Sequence, residues 1–410
     1  MKNALRGLTF RGKGLIAVGL GLGVGALISE QRDLLRIAIL LLALPCVSAF
    51  LVARTHFRLG AERTVTPPHV PVGTIGEVQL TVTNMSRTRT GTLLLSDAVP
   101  RALGRPVTRV LERVEAGGSR ITTYPLEAAR RGRYELGPLS ITAVDPFGLV
   151  RLTRTFRTTT PVLVVPQVEA LADAVIAADH RGRGDGAAVA LAARGDDDVV
   201  PREYRHGDDL RRIHWRASAR LDELMVRREE VPWTNRATVL IDLRTPRHGG
   251  EGATSSLERT LSAGASAAVH LLRHGWTIRV ATTDGRVLVP TASGPVGEAE
   301  VLTSLALAEA SPAVDITSPG LRDDLVIAAV ASDARITSAL SGRAARSSGQ
   351  LGIALVVDTA AWFAPEAQPA DETCAALRAA GWQAAGVTAR PDAVASAWLA
   401  ATGELQGSGR

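Results

Sequence analysis

One short segment of the chain concentrates the side chains that could do chemistry. Residues 201–220 read PREYRHGDDLRRIHWRASAR, in which nine of the twenty residues are charged and two more are histidines. Carboxylates and imidazoles are the usual groups of general acid–base catalysis, so one alternative is a hydrolase-like active site. Its candidate catalytic residues are Glu203, Asp208, Asp209 and His214.

The charge balance of this segment favours two other interpretations. Residues 202–230 contain eight arginines and seven carboxylates, whereas a nucleic-acid surface should be strongly positive, so we expect no nucleic-acid partner. Arginine forks pair carboxylates in fixed geometry, which suits an internal clamp or a docking surface for a protein partner. The residues predicted to form the clamp or docking surface are Arg202, Glu203, Tyr204, Gly207, Asp208, Asp209, Arg211, Arg212, His214, Trp215 and Arg220.

Two histidines and one cysteine outside this segment are further candidates for a reactive site. His270 and His274 have the i, i+4 spacing of helical zinc ligands, but HLLRH lacks the Glu of HExxH and the sequence nominates no third ligand. We expect them to be histidines favourably placed at a helix C-terminus. Cys374 lies on an amphipathic helix with no base nominated beside it, which predicts a buried apolar role. The sequence therefore predicts no catalytic residue, no metal and no cofactor.

The composition of the chain indicates the kind of cellular compartment in which it resides. The chain has 410 residues, 47 lysines and arginines, and a net charge of +6. Lys2 and Lys13 are its only lysines, which indicates GC-rich coding sequence rather than nucleic-acid binding. Two cysteines, Cys46 and Cys374, lie far apart in unlike surroundings, which fits a reducing compartment.

The N-terminal residues 1–58 predict a transmembrane helical hairpin. Residues 14–29 and 37–53 carry no charge, and a membrane-spanning helix needs about 20 apolar residues. We predict spans at about 12–29 and 34–53. A signal peptide fits less well, because it needs small residues before a cleavage point and Leu27, Ile28 and Ser29 match that pattern poorly. Basic residues flank both outer ends, so the positive-inside rule predicts a multi-pass cell-membrane protein with a cytoplasmic N-terminus and cytoplasmic soluble domains.

Residues 60–166 read as an all-β, sandwich-like domain. Val78, Leu80 and Val82 alternate with polar residues, and short strand patterns recur between turn residues. Residues 167–200 are rich in Gly, Ala and charge, which predicts a linker or mobile loop. No catalytic cluster stands out in the β region, so we expect a structural or binding module.

Residues 235–405 predict a doubly wound α/β domain. The run ATVLIDL is continuously apolar, as in a strand buried on both faces, and helical stretches then alternate with further strands. Ser255 and Glu258 form a capping box, and Gly275 stands at a C-cap position. Ligands bind at the carboxyl ends of such strands, where four aspartates fall: Asp242, Asp284, Asp333 and Asp358.

Two stretches of the sequence resemble a known family. VVPREYRHGDDLRRIHWRASAR followed by LMVRREE, and upstream RGRYELGPLSITAVDPFGLVR, resemble the domain-of-unknown-function 58 family, with residues 201–234 as its charged motif. The resemblance extends from residue 1 to about 360. It implies a membrane-anchored bacterial protein with a von Willebrand factor A-like domain, associated with MoxR-type AAA+ ATPases and transglutaminase-like membrane proteins.

The von Willebrand factor A-like expectation raises a metal hypothesis. The metal site of that fold begins D-x-S-x-S, where hydroxyls and a carboxylate hold a hard cation. Here Arg244 and Pro246 replace both serines after Asp242, so we predict a degenerate site in which Arg244 pairs with Asp242. The combined prediction is a membrane-anchored cytoplasmic scaffold or adaptor, partner of a MoxR-type ATPase in envelope-related assembly.

Overall fold

The computed structural model divides the chain into two compact units. The first comprises Met1–Val168, Gly250–Glu258 and Leu302–Glu309, and the second comprises Glu169–Gly249, Arg259–Val301 and Ala310–Arg410. The structure describes residues 7–54, 59–145, 147–173, 201–203, 218–220, 223–227, 236–317, 325–344, 351–362 and 369–407.

The first unit begins with two apolar helices, α1 (Phe10–Ile28) and α2 (Arg32–Arg54). Both are long and apolar enough to cross a membrane by length and composition. The hydroxyl of Thr9 caps α1 by accepting from Gly12 N at 3.2 Å, and Thr9 N donates to Leu149 O at 2.9 Å. A Cβ at Gly12 would lie 2.5 Å from Leu149 O, so this close approach requires glycine.

Ten strands follow the helices in the first unit and form three small sheets. They are β1 (Leu59–Thr66), β2 (His69–Pro71), β3 (Ile75–Asn84), β4 (Leu93–Asp97), β5 (Val107–Leu111), β6 (Ser119–Glu127), β7 (Gly132–Leu136), β8 (Leu139–Val144), β9 (Arg151–Phe156) and β10 (Thr160–Val165). The sheet orders are β1-β3-β6, β2-β10-β7 and β5-β4-β8-β9. The predicted alternation is confirmed in β3, where Val78, Leu80 and Val82 are buried and their neighbours are more exposed.

A buried polar cluster joins two of these sheets. Arg63 of β1 donates to Asp97 of β4 from Nε at 2.8 Å and from Nη2 at 2.7 Å, and Tyr124 Oη of β6 donates to the same carboxylate at 2.7 Å. Burial, followed by the bond to Asp97, raises the pKa of Tyr124. Polar groups that are buried in an apolar interior need hydrogen-bond partners. Within this cluster the three side chains supply those partners to one another.

The second unit is built around a six-stranded sheet. Its strands are β13 (Arg236–Ile241), β14 (Thr277–Thr282), β15 (Val287–Ala292), β16 (Leu325–Ala331), β17 (Leu351–Val357) and β18 (Gln383–Val387), after a short antiparallel pair β11 (Pro201–Glu203) and β12 (Met225–Arg227). The sheet order is β15-β14-β13-β16-β17-β18. All neighbouring pairs are parallel except the β14–β15 edge.

Helices connect or follow these strands. They are α3 (Ser256–Arg273), α4 (Gly294–Leu307), α5 (Ala334–Ala344), α6 (Ala370–Ala379) and α7 (Ala393–Gly407). The predicted start of α3 is confirmed, because Ser255 Oγ accepts from Glu258 N at 3.3 Å. The predicted stop is confirmed as well, since Gly275 has φ of +79°, a conformation that glycine adopts without strain.

The fold agrees with the sequence expectation at the level of two N-terminal apolar helices followed by strand-rich sheets and helices. Two strands of the second sheet, β15 and β18, were not predicted. Residues 169–173 fall where the sequence predicts a linker, and Glu169 there is buried and paired to Arg259 at 3.0 Å.

Candidate functional site

The carboxyl edge of the parallel sheet collects polar side chains in the second unit. Asp242 follows β13 directly, Thr283 follows β14, and Asp333 comes two residues after the end of β16. Because parallel strands end at the same edge, these side chains converge, as in the ligand-binding crevices of open α/β sheets. We call the group Asp242, Arg244, Arg247, His248, Thr283 and Asp333 the edge cluster.

Asp242 and Arg244 form the centre of the edge cluster. Arg244 Nε donates to Asp242 Oδ1 at 2.9 Å, and Nη2 donates to Oδ2 at 2.8 Å. Both side chains are 0% exposed. A bidentate pair is the strongest arrangement available to a guanidinium and a carboxylate, and it offsets the cost of burying both charges. The predicted pairing of Arg244 with Asp242 is confirmed.

Further members of the edge cluster complete the surroundings of this pair. Thr283 Oγ1 donates to Asp242 Oδ1 at 2.9 Å, and the remaining guanidinium nitrogen of Arg244, Nη1, donates to Val314 O at 3.1 Å. Asp333 Oδ2 lies 3.3 Å from Arg244 Nη2. Two carboxylates therefore share the charge of one buried guanidinium.

A second arginine balances the second carboxylate. Arg247 Nε lies 3.2 Å from Asp333 Oδ2, close enough for ion pairing, although the angle is not that of a hydrogen bond. With Arg247 included, the cluster holds two positive and two negative side chains, so its formal charge is balanced. Sequence reasoning missed Arg247, because its spacing of three residues from Arg244 becomes meaningful only once the 3₁₀ turn Thr245–Arg247 folds it back.

The protonation states of the edge cluster follow from these contacts. Burial alone would raise the pKa of Asp242, but the hydrogen bond and charge of Arg244 bring it below its ordinary value of 3.8. Burial lowers the pKa of His248 below 6.5, so its ring is neutral at pH 7. A neutral His248 can donate from Nε2 to the backbone carbonyl of Asp242, which lies 3.0 Å away.

The edge cluster offers little to a cation or a substrate. The oxygens of Asp242 are directed at Arg244 and Thr283, so the guanidinium occupies the space beside the carboxylate. A cation there would meet a like charge. The arrangement stabilises the sheet edge and engages both carboxylate oxygens of Asp242 within the cluster.

The other aspartates of the sheet edge make separate contacts. Asp284 accepts from Thr282 Oγ1 and from Arg286 Nε, the latter at 2.8 Å. Near Asp358, the hydroxyls of Ser332 and Thr359 lie 2.8 Å apart. All four aspartates lie at the carboxyl ends of strands as predicted, but only Asp242 and Asp333 belong to the edge cluster.

Cys374 and the charged motif complete the set of predicted residues. Cys374 on α6 is buried, and burial raises the pKa of its thiol to about 11, which suits an inert packing residue.

The charged motif is described only in part. In β11, Arg202 pairs with Val226 and Glu203 with Met225 of β12. Arg220 is exposed in the helical turn 218–220. The other motif residues lie outside the described part of the chain: Tyr204, Gly207, Asp208, Asp209, Arg211, Arg212, His214 and Trp215.

Comparison with known proteins adds one family match. Residues 200–325 match the family described as "Protein of unknown function DUF58". No curated protein matches the chain.

Likenesses to solved structures are weak. A CARDB domain from Pyrococcus furiosus, solved in complex with di-metal ions, is 17% identical over 27% of this chain and 90% of its own, with a TM-score of 0.20. The ApaA protein from Bordetella pertussis is 10% identical over 27% of this chain and 97% of its own, also at 0.20. The C-terminal domain of wzt is 14% identical over 27% and 79%, again at 0.20. Likenesses at this level do not define the fold.

Proposed function

Because the chain belongs to the DUF58 family through residues 200–325, we propose that it is a membrane-anchored adaptor. In this proposal the α/β unit binds a protein partner without a cation at the edge cluster, and the two apolar helices hold the chain in the cell membrane. The single observation that carries the proposal is the fully buried bidentate pair of Arg244 and Asp242.

The edge cluster supports adaptor function over metal-dependent chemistry. We assign the α/β unit a von Willebrand factor A-like fold, which is supported by a largely parallel sheet with Asp242 directly after β13. In a metal-dependent site of that fold, the cation is presented to the partner. Arg244 is 0% exposed and cannot contact a partner, so binding has to use another surface.

The charged motif is the surface that we propose for that role. It contains eight arginines together with Tyr204 and Trp215, and these three residue types are enriched at interface hot spots. By family resemblance, the partner we propose is a MoxR-type AAA+ ATPase, with a transglutaminase-like membrane protein in the same assembly. Such an ATPase consumes cytoplasmic ATP, which requires the soluble units to be cytoplasmic.

The orientation has its own test. The basic residues before α1 and after α2 support a cytoplasmic N-terminus and C-terminus. A reporter fused at the C-terminus should be active in the cytoplasm, and one inserted between Glu30 and Asp33 should be active outside. The reverse pattern would exclude a cytoplasmic ATPase as partner.

Affinity capture from detergent-solubilised membranes tests the adaptor proposal. The intact chain should recover an AAA+ ATPase in amounts comparable to the bait, and the Trp215→Ala variant should recover less. Arg335→Ala, which removes an exposed charge on α5 outside the motif's residues 201–234, serves as the matched control and should capture normally. Capture of no ATPase by a well-folded bait would reject the proposal.

A further inference from the structure

A second polar cluster lies at the C-terminal end of α3, away from the edge cluster. Asp173, His270 and His274 each offer one ligand atom, and these atoms all lie within 4.8 Å of one another. The two histidines are one helical turn apart, with ring centroids 4.2 Å apart. The sequence could not show this group as a set of three, since Asp173 lies 101 residues before His274.

Hydrogen bonding fixes the tautomer of His274. Its Nδ1 lies 2.7 Å from the backbone carbonyl of His270, an acceptor only, so Nδ1 carries the proton. In the neutral ring Nε2 then bears a lone pair, and it lies 3.0 Å from Asp173 Oδ1, which is also an acceptor. Two lone pairs that face each other at this distance repel unless a cation lies between them. That cation is either a second proton on the His274 ring or a metal ion.

His270 supplies a second ring nitrogen. This residue is 8% exposed, and within the described part of the chain no side chain is hydrogen-bonded to its ring. Trp398 of α7 contacts it edge-on at 5.2 Å and limits its rotation.

The third side chain is presented by an anchored backbone. Trp398 Nε1 donates to Ala172 O at 3.0 Å, next to Asp173. Four residues earlier, Glu169 Oε2 accepts from Val394 N and Ala395 N, each at 3.0 Å, at the N-terminus of α7. The segment 169–173 is thus tied to α7, and Asp173 meets α3 with an exposed side chain that can adjust.

We propose that Asp173, His270 and His274 bind a Zn²⁺ ion. Two imidazoles and one carboxylate are a zinc donor set, and a solvent molecule or a partner side chain would fill the fourth position. The carbonyl that accepts from His274 Nδ1 is the outer contact that metal-bound histidines usually make. Zn–N bonds of about 2.0–2.1 Å place tetrahedral ligand atoms about 3.3 Å apart. The Asp173–His274 separation of 3.0 Å is already close to this value.

The ion would act as a clasp between segment 169–173 and α3. This role is independent of the proposed adaptor function, because the edge cluster and the charged motif contribute none of its ligands. The chain continues from Asp173 toward the motif at residue 201, so zinc would fix one end of that connection.

Zinc titration of the intact, tag-free protein in detergent tests the proposal. Isothermal calorimetry with ZnCl₂ should give one site per chain, and Co²⁺ in its place should show the visible absorption of tetrahedral cobalt. Asp173→Asn and His274→Gln should each weaken Zn²⁺ binding at least about tenfold, a loss at the lower end of what second-shell changes already cause. His69→Gln and Asp371→Asn, which remove an exposed histidine and an exposed carboxylate elsewhere, should bind zinc as the parent does.

Folding is controlled within the same series. Asp173 and His274 are exposed or partly exposed, so their variants should melt like the zinc-free parent, and zinc should raise the melting temperature of the parent alone. Absence of saturable Zn²⁺ binding would overturn the proposal. Binding that survives both ligand variants would overturn it as well, because the ion would then lie elsewhere.

Discussion

Arg244 reaches back two residues to hold both carboxylate oxygens of Asp242, at 2.9 and 2.8 Å, with neither side chain exposed to solvent. The backbone N–H of Arg244 also donates to Asp242 Oδ1 at 3.2 Å, which closes an Asx-turn. The pair therefore defines both the local backbone and the electrostatics at the end of β13.

Removing Arg244 should be strongly destabilising. Arg244→Ala leaves Asp242 and Asp333 buried with one guanidinium fewer, and breaking a buried pair costs about 3–5 kcal/mol. The Asp242→Ala, Arg244→Ala double variant should cost less than the sum of the single changes, since each already breaks the same bonds. Urea unfolding of the intact protein in detergent measures these free energies.

An exposed ion pair provides the matched control for this series. Arg335 lies 3.9 Å from Asp315, and both side chains are largely exposed. Arg335→Ala should cost about 0–1 kcal/mol. Equal losses for Arg244→Ala and Arg335→Ala would mean that the Arg244–Asp242 pair is not buried in solution.

Restoring hydroxyls at the edge cluster should restore cation binding. The parent should show no thermal shift with Mg²⁺, because Arg244 already neutralises Asp242. Arg244→Ser combined with Pro246→Ser recreates D-x-S-x-S beside Thr283 and removes the competing charge. Stabilisation by a ligand grows as RT ln(1 + [L]/Kd), about 2.7 kcal/mol at a hundredfold excess over Kd.

The comparison needs a variant that removes the charge without adding ligands. Arg244→Met removes the charge and keeps an unbranched side chain that supplies no oxygen, so this variant should stay insensitive to Mg²⁺. If instead the parent is stabilised by Mg²⁺, and EDTA or Asp242→Ala abolishes the effect, the metal-independent adaptor proposal is wrong.

The Arg244–Asp242 pair could be predicted because its members are adjacent in sequence and replace a recognisable pattern. The zinc ligand set could not, because segment 169–173 is held by contacts to α7, more than 200 residues away in sequence, and to Arg259 and Ser266 of α3. Long-range backbone anchoring of this kind leaves no local trace. The pairing of Arg63, Asp97 and Tyr124 was missed for the same reason: three separate strands supply one residue each.

The sequence did not predict those strands whose residue types indicate strand structure only weakly. Strand β18, Gln383–Val387, consists mainly of small residues, which are weak strand formers. Strand β15 is a half-exposed antiparallel edge with Pro290 in it, which lowers its strand propensity. By contrast, β13, β16 and β17 are buried almost throughout, and their continuous apolar runs were sufficient for prediction.

The free energy of unfolding should fall with decreasing pH before the carboxylates of the protein become protonated. The pKa of His248 is lowered by burial in the folded chain, while in the unfolded chain it returns to about 6.5. Below about pH 6.5 the unfolded state therefore binds a proton that the folded state does not. Stability is full above that pH and falls as pH decreases toward the folded pKa, by at most about 1.4 kcal/mol per pH unit for one group.

Replacing His248 should reduce this pH dependence. His248→Gln keeps a donor toward the carbonyl of Asp242 and removes the titration, so the slope of unfolding free energy against pH below 6.5 should flatten. His270, whose pKa is also lowered, leaves a residual slope. His69→Gln on exposed β2 controls for the loss of a histidine. An unchanged slope in His248→Gln would show that this ring is accessible to protons in the folded state.

Substitutions in the charged motif distinguish the remaining alternatives for that segment, which are an internal clamp, a docking surface and an active site. If it is an internal Arg–carboxylate clamp, Arg211→Ala and Asp209→Ala each leave a counter-charge unpaired and should cost about 3–5 kcal/mol, with a smaller combined loss than their sum. Trp215→Ala should cost about 3–5 kcal/mol if the indole is buried. Arg220→Ala, at an exposed position of the same motif, is the matched control and should change stability by about 0.5 kcal/mol or less.

Variants at Asp209, Arg211 and Trp215 that unfold like the parent but lose capture of the ATPase would favour the docking surface. Variants that keep stability and partner but lose a measurable turnover would make Glu203, Asp208, Asp209 and His214 an active site, and would reject both the clamp and the adaptor.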